Sequence, residues 1–194
     1  MEKHYKTGNK KIDASCMISC LPTSVCFGKG KQCKGCYAYK SEIGRFKAVV
    51  SPSRKRKLQQ TKAKMFVANC ITEIVNSKRK VVRIHESGDF YSQSYINKYI
   101  EIIKACPEVR FYTYTKKLNK FDFSGICKLA NFNLVNSITP FGLNFGSMDY
   151  CKKLVKKGYK LCPCGTSKED KTKKTCMESC DFCAKYSNIV FLQH

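Results

Sequence analysis

Two groups of cysteines, near opposite ends of the sequence, have the spacing of metal ligands. The chain holds 14 cysteines among its 194 residues. Cys26, Cys33 and Cys36 lie within one glycine-containing segment, and only two residues separate the last pair. A loop with a close Cys-x-x-Cys pair can wrap an iron–sulfur cluster or a zinc ion. We therefore expect metal at this loop, with a [4Fe-4S] cluster favoured over zinc.

The number of cysteine ligands decides what this first site could do. Three thiolates leave one iron of a cubic cluster without a protein ligand, and an open position is what a catalytic metal site needs. Cys20 precedes the loop and could supply a fourth thiolate. The sequence leaves both arrangements open: an open catalytic cluster, or a closed four-cysteine site.

The second group of cysteines occupies the last segment of the chain. Cys176, Cys180 and Cys183 are the near ligands, and the fourth is either Cys162 or Cys164, of which we favour Cys162. We expect a second, auxiliary [4Fe-4S] cluster here. A four-cysteine zinc site is the alternative, because four thiolates suit both metals.

The remaining sequence indicates a reducing compartment for these thiols. No apolar run is long enough to span a membrane, and the polar start of the chain does not resemble a signal peptide. We therefore expect a cytoplasmic protein, in which disulfides are disfavoured. Four isolated cysteines lie in helical or apolar stretches and are expected to be buried fillers: Cys70, Cys106, Cys127 and Cys151.

A polar motif follows a short β-branched run in the middle of the chain. We expect His85 and Glu86 as catalytic candidates, and Glu86, Ser87, Gly88 and Asp89 as cofactor-binding candidates, because parallel strands bind ligands at their carboxyl ends. Glu86 or Asp89 could hold an ammonium group. Alternatively, residues 87–89 form only a tight turn. His85 is a hydrogen-bonded core residue, a cluster neighbour or a proton carrier.

The elements that must position these residues alternate between helix and strand. Ser51 and Pro52 have the residue types of a helix start, and apolar spacing continues the helix over 52–76. Strands are predicted over 81–85 and 110–115, and a helix begins after Ser92. Further predictions are a helix over 123–130, an extended segment over 133–139, a helix over 147–157 and a last inner strand over 159–162.

This order predicts an α/β fold. Repeated α/β units favour parallel strands, and hence a partial parallel (β/α) barrel or an open parallel sheet. The length favours a single domain over 1–194. Within it we distinguish an N-terminal cysteine loop (11–40), an α/β core (51–161) and a C-terminal metal-binding tail (162–194).

The charge balance is strongly basic. Lys and Arg number 37 against 14 acidic residues, a formal net charge of +23. Such a surface attracts polyanions, of which nucleic acid is the commonest. The run Arg54–Lys57 could contribute to nucleic-acid binding, or could be a solvated helix face.

Three segments carry a family resemblance. Residues 26–38, 83–90 and 111–115 resemble the phage "gene product 88" family, and the resemblance covers most of the chain. It implies a phage protein, located in the host cytoplasm. More distantly, the order of parts is similar to that of radical S-adenosylmethionine enzymes: a strand, a three-cysteine loop, a helix, a second strand and a polar motif.

The second resemblance implies a mechanism. A reduced cluster held by Cys26, Cys33 and Cys36 would pass an electron from an external electron donor to bound S-adenosylmethionine, and residues 86–89 would receive its amino group. The usual loop of those enzymes is Cys-x3-Cys-x2-Cys, whereas six residues separate the first pair here. The competing function is a non-catalytic, metal-stapled basic module that binds nucleic acid.

Overall fold

A single sheet organises the chain. The computed structural model describes residues 3–9, 12–26, 36–118, 120–138, 160–161 and 189–192. Within these residues the strands form a seven-stranded sheet. In spatial order the strands are β1 (Tyr5–Asn9), β2 (Ile12–Cys20), β3 (Val81–Ser87), β4 (Arg110–Thr115), β5 (Phe132–Ile138), β7 (Ile189–Leu192) and β6 (Lys160–Leu161).

The sheet is parallel apart from one edge. Every neighbouring pair from β2 to β6 runs parallel, and β1 pairs antiparallel with β2. The predicted α/β fold with a parallel sheet is therefore confirmed. Because β1 and β6 stand at the two ends of the order, the described strands form an open sheet and do not close into a barrel.

The helices connect the parallel strands. A 3-10 turn (Thr23–Val25) follows β2, and the helices are α1 (Tyr37–Ile43), α2 (Lys47–Lys62), α3 (Phe66–Ser77), α4 (Gln93–Ala105) and α5 (Ser124–Cys127). The Ser92 side chain accepts a hydrogen bond from the Tyr95 backbone N–H at the start of α4. This confirms the helix start that was predicted at Ser92.

The single helix predicted over 52–76 is wrong in two respects. Helical structure begins at Lys47, five residues earlier, and an extended residue at Ala63 divides it into α2 and α3. Pro52 lies inside α2, where it removes the N–H that would bond to the Ala48 carbonyl. Ala48 is exposed, so water can replace that donor.

Strands β1 and β7 were not predicted, and the first strand was expected without bounds. The hairpin of β1 and β2 includes Cys16 and Cys20, which the sequence had assigned to an irregular loop. In the segment assigned to the metal-binding tail, β7 inserts between β5 and β6. The predicted last inner strand, over 159–162, is the short edge strand β6. The helix predicted over 147–157 lies outside the described residues.

The two faces of the sheet differ in composition. One face carries Met17, Val82 and Phe111, which pair across β2, β3 and β4 and pack in the main core with α3, α4 and α5. Side chains alternate between faces along a strand, so Arg83 and Tyr112 lie on the other face. Neither of these two belongs to the core cluster.

Candidate metal and cofactor site

The ends of β2 and β3 are locked together by reciprocal hydrogen bonds. The Leu21 N–H donates to the Ser87 carbonyl over 2.9 Å. The Ser87 hydroxyl donates in return to the Leu21 carbonyl over 2.8 Å. The predicted motif 85–89 thus lies at the carboxyl end of β3, beside the segment that leads into the cysteine loop.

A bulge in β3 turns this motif. Ile18 pairs with Arg83 and Cys20 with Ser87, so β3 has two more residues than β2 between these pairs. His85 accordingly adopts a positive φ of 65°, a conformation that is uncommon for residues other than glycine. Ile84 and His85 are both buried although they are consecutive. The bulge therefore changes the side-chain alternation immediately before Glu86.

Glu86 contacts several elements at this edge. The Cys20 thiol donates to Glu86 Oε2 over 3.3 Å, and the Lys6 ammonium forms an ion pair with the same oxygen. The Tyr37 hydroxyl donates to the Glu86 backbone carbonyl. The Glu86 side chain is 12% exposed, so solvent reaches it only in part. The Glu86 carboxylate thus joins β3 to β1 and β2, and its backbone carbonyl joins β3 to α1.

Asp89 is enclosed by hydrogen bonds from the protein. Its Oδ1 accepts from the Phe90 N–H and the Thr115 hydroxyl, each over 2.8 Å, and its Oδ2 accepts from the Lys116 N–H over 3.0 Å. The residue is 4% exposed. Burial raises the pKa of Asp89, while the donors from Lys116 and Thr115 act to lower it. Asp89 thus ties the end of β3 to the end of β4.

Gly88 is required by packing as well as by backbone conformation. Its φ is +80°, and a Cβ at this position would lie 2.6 Å from the Leu21 Cβ. A side chain there would clash with the end of β2. The chain bends at Gly88 directly after β3, and Ser87 and Asp89 bind the ends of β2 and β4 through hydrogen bonds.

His85 is buried among aromatic rings. Its Nε2 lies 3.1 Å from the Tyr95 hydroxyl, and its ring packs edge-on against Phe90 with centroids 4.7 Å apart. No hydrogen-bond partner reaches Nδ1 within the described residues. Burial, together with the nearby His4 and Lys117, lowers the pKa of His85 to about 3. His85 is neutral at physiological pH, as expected for a core histidine.

The cysteine loop begins and ends at this same edge of the sheet. Cys26 follows the 3-10 turn and Cys36 immediately precedes α1, and both are half-buried. Cys33 lies outside the described residues. Tyr37, the first residue of α1, is anchored to β3 through the Glu86 carbonyl.

A carboxylate clamps the two stems of the loop. Glu42 in α1 accepts hydrogen bonds from the Thr23 N–H over 2.8 Å and from the Thr23 hydroxyl. The Arg54 guanidinium donates to Glu42 over 2.9 Å and to the Ala38 carbonyl over 2.8 Å. Glu42 thereby joins the segment before Cys26 to the helix after Cys36.

A buried lysine supports the first stem from β4. The Lys117 ammonium donates to the Phe90 carbonyl over 2.7 Å and to the Val25 carbonyl, and the residue is 2% exposed. Burial lowers the pKa of Lys117, whereas Asp89 and Cys26 raise it. A positive charge therefore lies close to the Cys26 thiol.

The sequence did not identify Lys117, Glu42 or Tyr37 as site residues. Lys117 and Val25 are separated by 92 positions, and no local pattern connects them. The only available signal was that Lys116 and Lys117 follow a predicted strand, at the edge where ligands bind.

The other predicted ligands are only partly placed by the structure. Among the described residues, no group of three or more Cys, His, Asp or Glu side chains could hold a metal ion. The whole C-terminal set lies outside these residues, as does the alternative ligand in the same segment: Cys162, Cys164, Cys176, Cys180 and Cys183.

The isolated cysteines follow the prediction in part. Cys70 and Cys106 are buried, as predicted. Cys127 is exposed, so its assignment as a buried filler is wrong. It lies on the short helix α5, in which the Ile126 side chain is buried and the next residue, Cys127, faces solvent. Cys151 lies outside the described residues.

The basic run in α2 is not a uniform charged face. Arg54 and Lys57 are buried, with exposures of 8% and 7%. Lys55 and Arg56 are exposed. Neither interpretation of the run, as a solvated face or as a nucleic-acid patch, holds for all four residues, because Arg54 serves the Glu42 clamp.

Comparison with known proteins identifies the family. None of the helices in the described residues is long and apolar enough to cross a membrane. No curated protein matches the chain, and no solved structure does. The sequence model of the gene product 88 family matches residues 2–139, which include β1 to β5 and the first cysteine group. The chain therefore belongs to the gene product 88 family, the phage family that its motifs resemble.

Proposed function

We propose that this protein binds a [4Fe-4S] cluster through Cys26, Cys33 and Cys36 at the carboxyl edge of the sheet. One observation carries the proposal. Both stems of the cysteine loop are held at this edge, the first by Glu42 and Lys117 and the second by the contact of Tyr37 with β3. Fixed stems reduce the conformational entropy that is lost when the intervening thiolates close on a metal.

We further propose radical S-adenosylmethionine-type chemistry for this cluster. When bound, a cluster with one iron free of cysteine supplies the electron for reductive cleavage of S-adenosylmethionine, and an external electron donor restores it. Glu86 is the proposed receptor for the cofactor's ammonium group. The order of elements along the chain supports this proposal, because β2 is followed by the cysteine loop, the helices, β3 and the polar motif.

A second cluster is proposed for the C-terminal cysteines. Cys162, Cys176, Cys180 and Cys183 are its ligands, and they lie between β6 and β7 in the sequence. Lys160 of β6 pairs with Ile189 of β7, so the segment that contains these cysteines starts and ends on adjacent strands.

Metal analysis of anaerobically purified protein tests both sites. We expect brown protein with iron and acid-labile sulfide for two clusters. Cys36→Ser should lower the iron content by about half, while the exposed Cys127→Ser serves as the matched control and should keep it. Colourless protein with stoichiometric zinc would contradict the cluster assignment.

Cofactor binding is tested separately. S-adenosylmethionine should change the electron paramagnetic resonance signal of the reduced protein, and dithionite should then release 5′-deoxyadenosine. Glu86→Gln should weaken this response at unchanged iron content, because Glu86 is proposed to contact the cofactor and not the metal. An unaltered signal at saturating cofactor would leave the competing function, a basic nucleic-acid-binding module.

That competing function rests on the net charge of +23. It predicts retention of RNA or DNA at about 50 mM salt and a steep loss of affinity as salt rises. The burial of Arg54 and Lys57 removes part of its support.

A further inference from the structure

The face of the sheet opposite the main core carries an arginine among tyrosines. Arg83 of β3 pairs in register with Tyr112 of β4, and Tyr114 follows on the same face. The two tyrosine rings pack edge-on with centroids 6.2 Å apart. The Arg83 Cζ lies 4.9 Å from the centroid of the Tyr114 ring. This geometry is a cation–π contact, which orients the guanidinium group.

One donor of the Arg83 guanidinium has no acceptor among the described residues. Its side chain is half-buried, and its Nε atom is buried without a hydrogen-bond partner. The carboxylate ion pairs in the described part of the chain are formed by Lys6 with Glu86 and by Arg54 with Glu42. Arg83 takes part in neither.

An unpaired Nε–H in such a position is costly. A buried N–H group without an acceptor loses its hydration and gains nothing in return. Burial acts to lower the pKa of Arg83, but Tyr112, Tyr37, Tyr114 and Glu86 together raise it, so the group remains charged. The planar fork of N–H donors matches the oxygens of a carboxylate or a phosphate.

We propose that Arg83 binds the oxyanion group of a small acidic ligand on the sheet face opposite α3, α4 and α5. The ligand is small because Tyr112, which pairs with Arg83, is only 8% exposed, so little of the surface beside Arg83 is open. Arg83 lies three residues before Glu86 on the same strand, so the bound anion would be close to the proposed cofactor site. The inference does not depend on the cluster and stands whether or not metal binds.

Calorimetry tests this site. The full chain is titrated separately with phosphate, acetate and S-adenosylmethionine at constant ionic strength. We expect saturable binding of at least one of them and an affinity at least about tenfold weaker in Arg83→Lys, which keeps the charge but loses the fork. Arg110→Lys is the matched control, because Arg110 is exposed and pairs with Val81 near the other end of β3. It should bind like the wild type.

The three ligands distinguish the sources of the acid group. Binding of phosphate or acetate indicates a site for a separate acidic substrate, whereas binding of S-adenosylmethionine alone assigns the site to the cofactor's carboxylate. Equal losses of affinity in Arg83→Lys and Arg110→Lys would overturn the proposal, as would the absence of binding by all three. If Arg83→Lys fails to fold, the wild-type protein can still test the proposal. At least one of the three ligands must then raise its thermal midpoint more than sodium chloride does at matched ionic strength.

Discussion

The Cys20 thiol donates a hydrogen bond to Glu86 Oε2 over 3.3 Å, although the two residues are 66 positions apart in the sequence. Burial raises the pKa of Cys20, and Glu86 raises it further, against the opposing effect of Lys6. A metal ligand must be a thiolate. The contact with a carboxylate therefore favours Cys20 as a protonated donor and the first cluster as an open, three-cysteine site.

Replacing Cys20 separates the open site from the closed one. We expect Cys20→Ser to keep its iron content, because a serine hydroxyl can also donate to Glu86. Cys36→Ser, which removes a proposed ligand, should lose iron under the same conditions. Equal iron loss in the two variants would make Cys20 the fourth ligand and exclude cofactor chelation at that cluster.

Lys117 is expected to position the first stem of the cysteine loop. Lys117→Met should lower both the iron content and the free energy of unfolding, the latter by about 1–3 kcal/mol, because the Val25 and Phe90 carbonyls lose a buried charged donor. Chemical denaturation and iron analysis measure the two effects. Lys116→Met is the control and should change neither. A Lys117 variant with wild-type iron content would show that the loop does not need this support.

Several elements could be predicted because their signals are local. Strand β4 was predicted with its observed bounds, from alternating aromatic and β-branched residues at 110–115. The helix start near Ser92 was predicted from the helical spacing of the apolar residues that follow it.

The misplaced features depend on contacts between distant residues. Pro52 suggested a helix start, yet tolerance of a proline inside α2 depends on whether the carbonyl it leaves unbonded is exposed. The bulge at His85 arises where β3 pairs with β2, so the sequence of β3 alone does not predict it. The role of Asp89 depends on Thr115, 26 positions away. In the sequence alone, a carboxylate at a strand end is equally consistent with ligand binding and with hydrogen bonds that hold two strand ends together.

Replacing Asp89 should therefore lower the stability of the fold more than it weakens cofactor binding. Asp89→Ala leaves three donors without their acceptor, so we expect unfolding to become easier by about 2–4 kcal/mol. Asp89→Asn keeps one acceptor oxygen and should cost less. In Asp89→Asn the affinity for S-adenosylmethionine should stay within about twofold of the wild type, whereas Glu86→Gln weakens it. A large loss of affinity in Asp89→Asn, at wild-type stability, would instead assign Asp89 to the cofactor.

The depressed pKa of His85 predicts loss of stability in mild acid. The folded-state pKa is about 3, against an ordinary value of 6.5, so the unfolded chain binds more protons between these values. The stability contributed by neutral His85 is complete above pH 6.5 and is lost as the pH falls toward 3. His4, whose pKa burial lowers to about 4, acts in the same direction.

Comparison of the wild type with His85→Asn isolates the contribution of His85. Asparagine is chosen because it tolerates the positive φ at this position. Between about pH 7 and about pH 5 the wild type should lose about 2 kcal/mol more unfolding free energy than His85→Asn does. Urea denaturation at the two pH values measures the difference, and His4 serves as an internal reference because both proteins retain it. If the two proteins lose equal amounts, His85 must titrate near its ordinary pKa when folded. The proton-carrier role would then be favoured over the core role that the geometry supports.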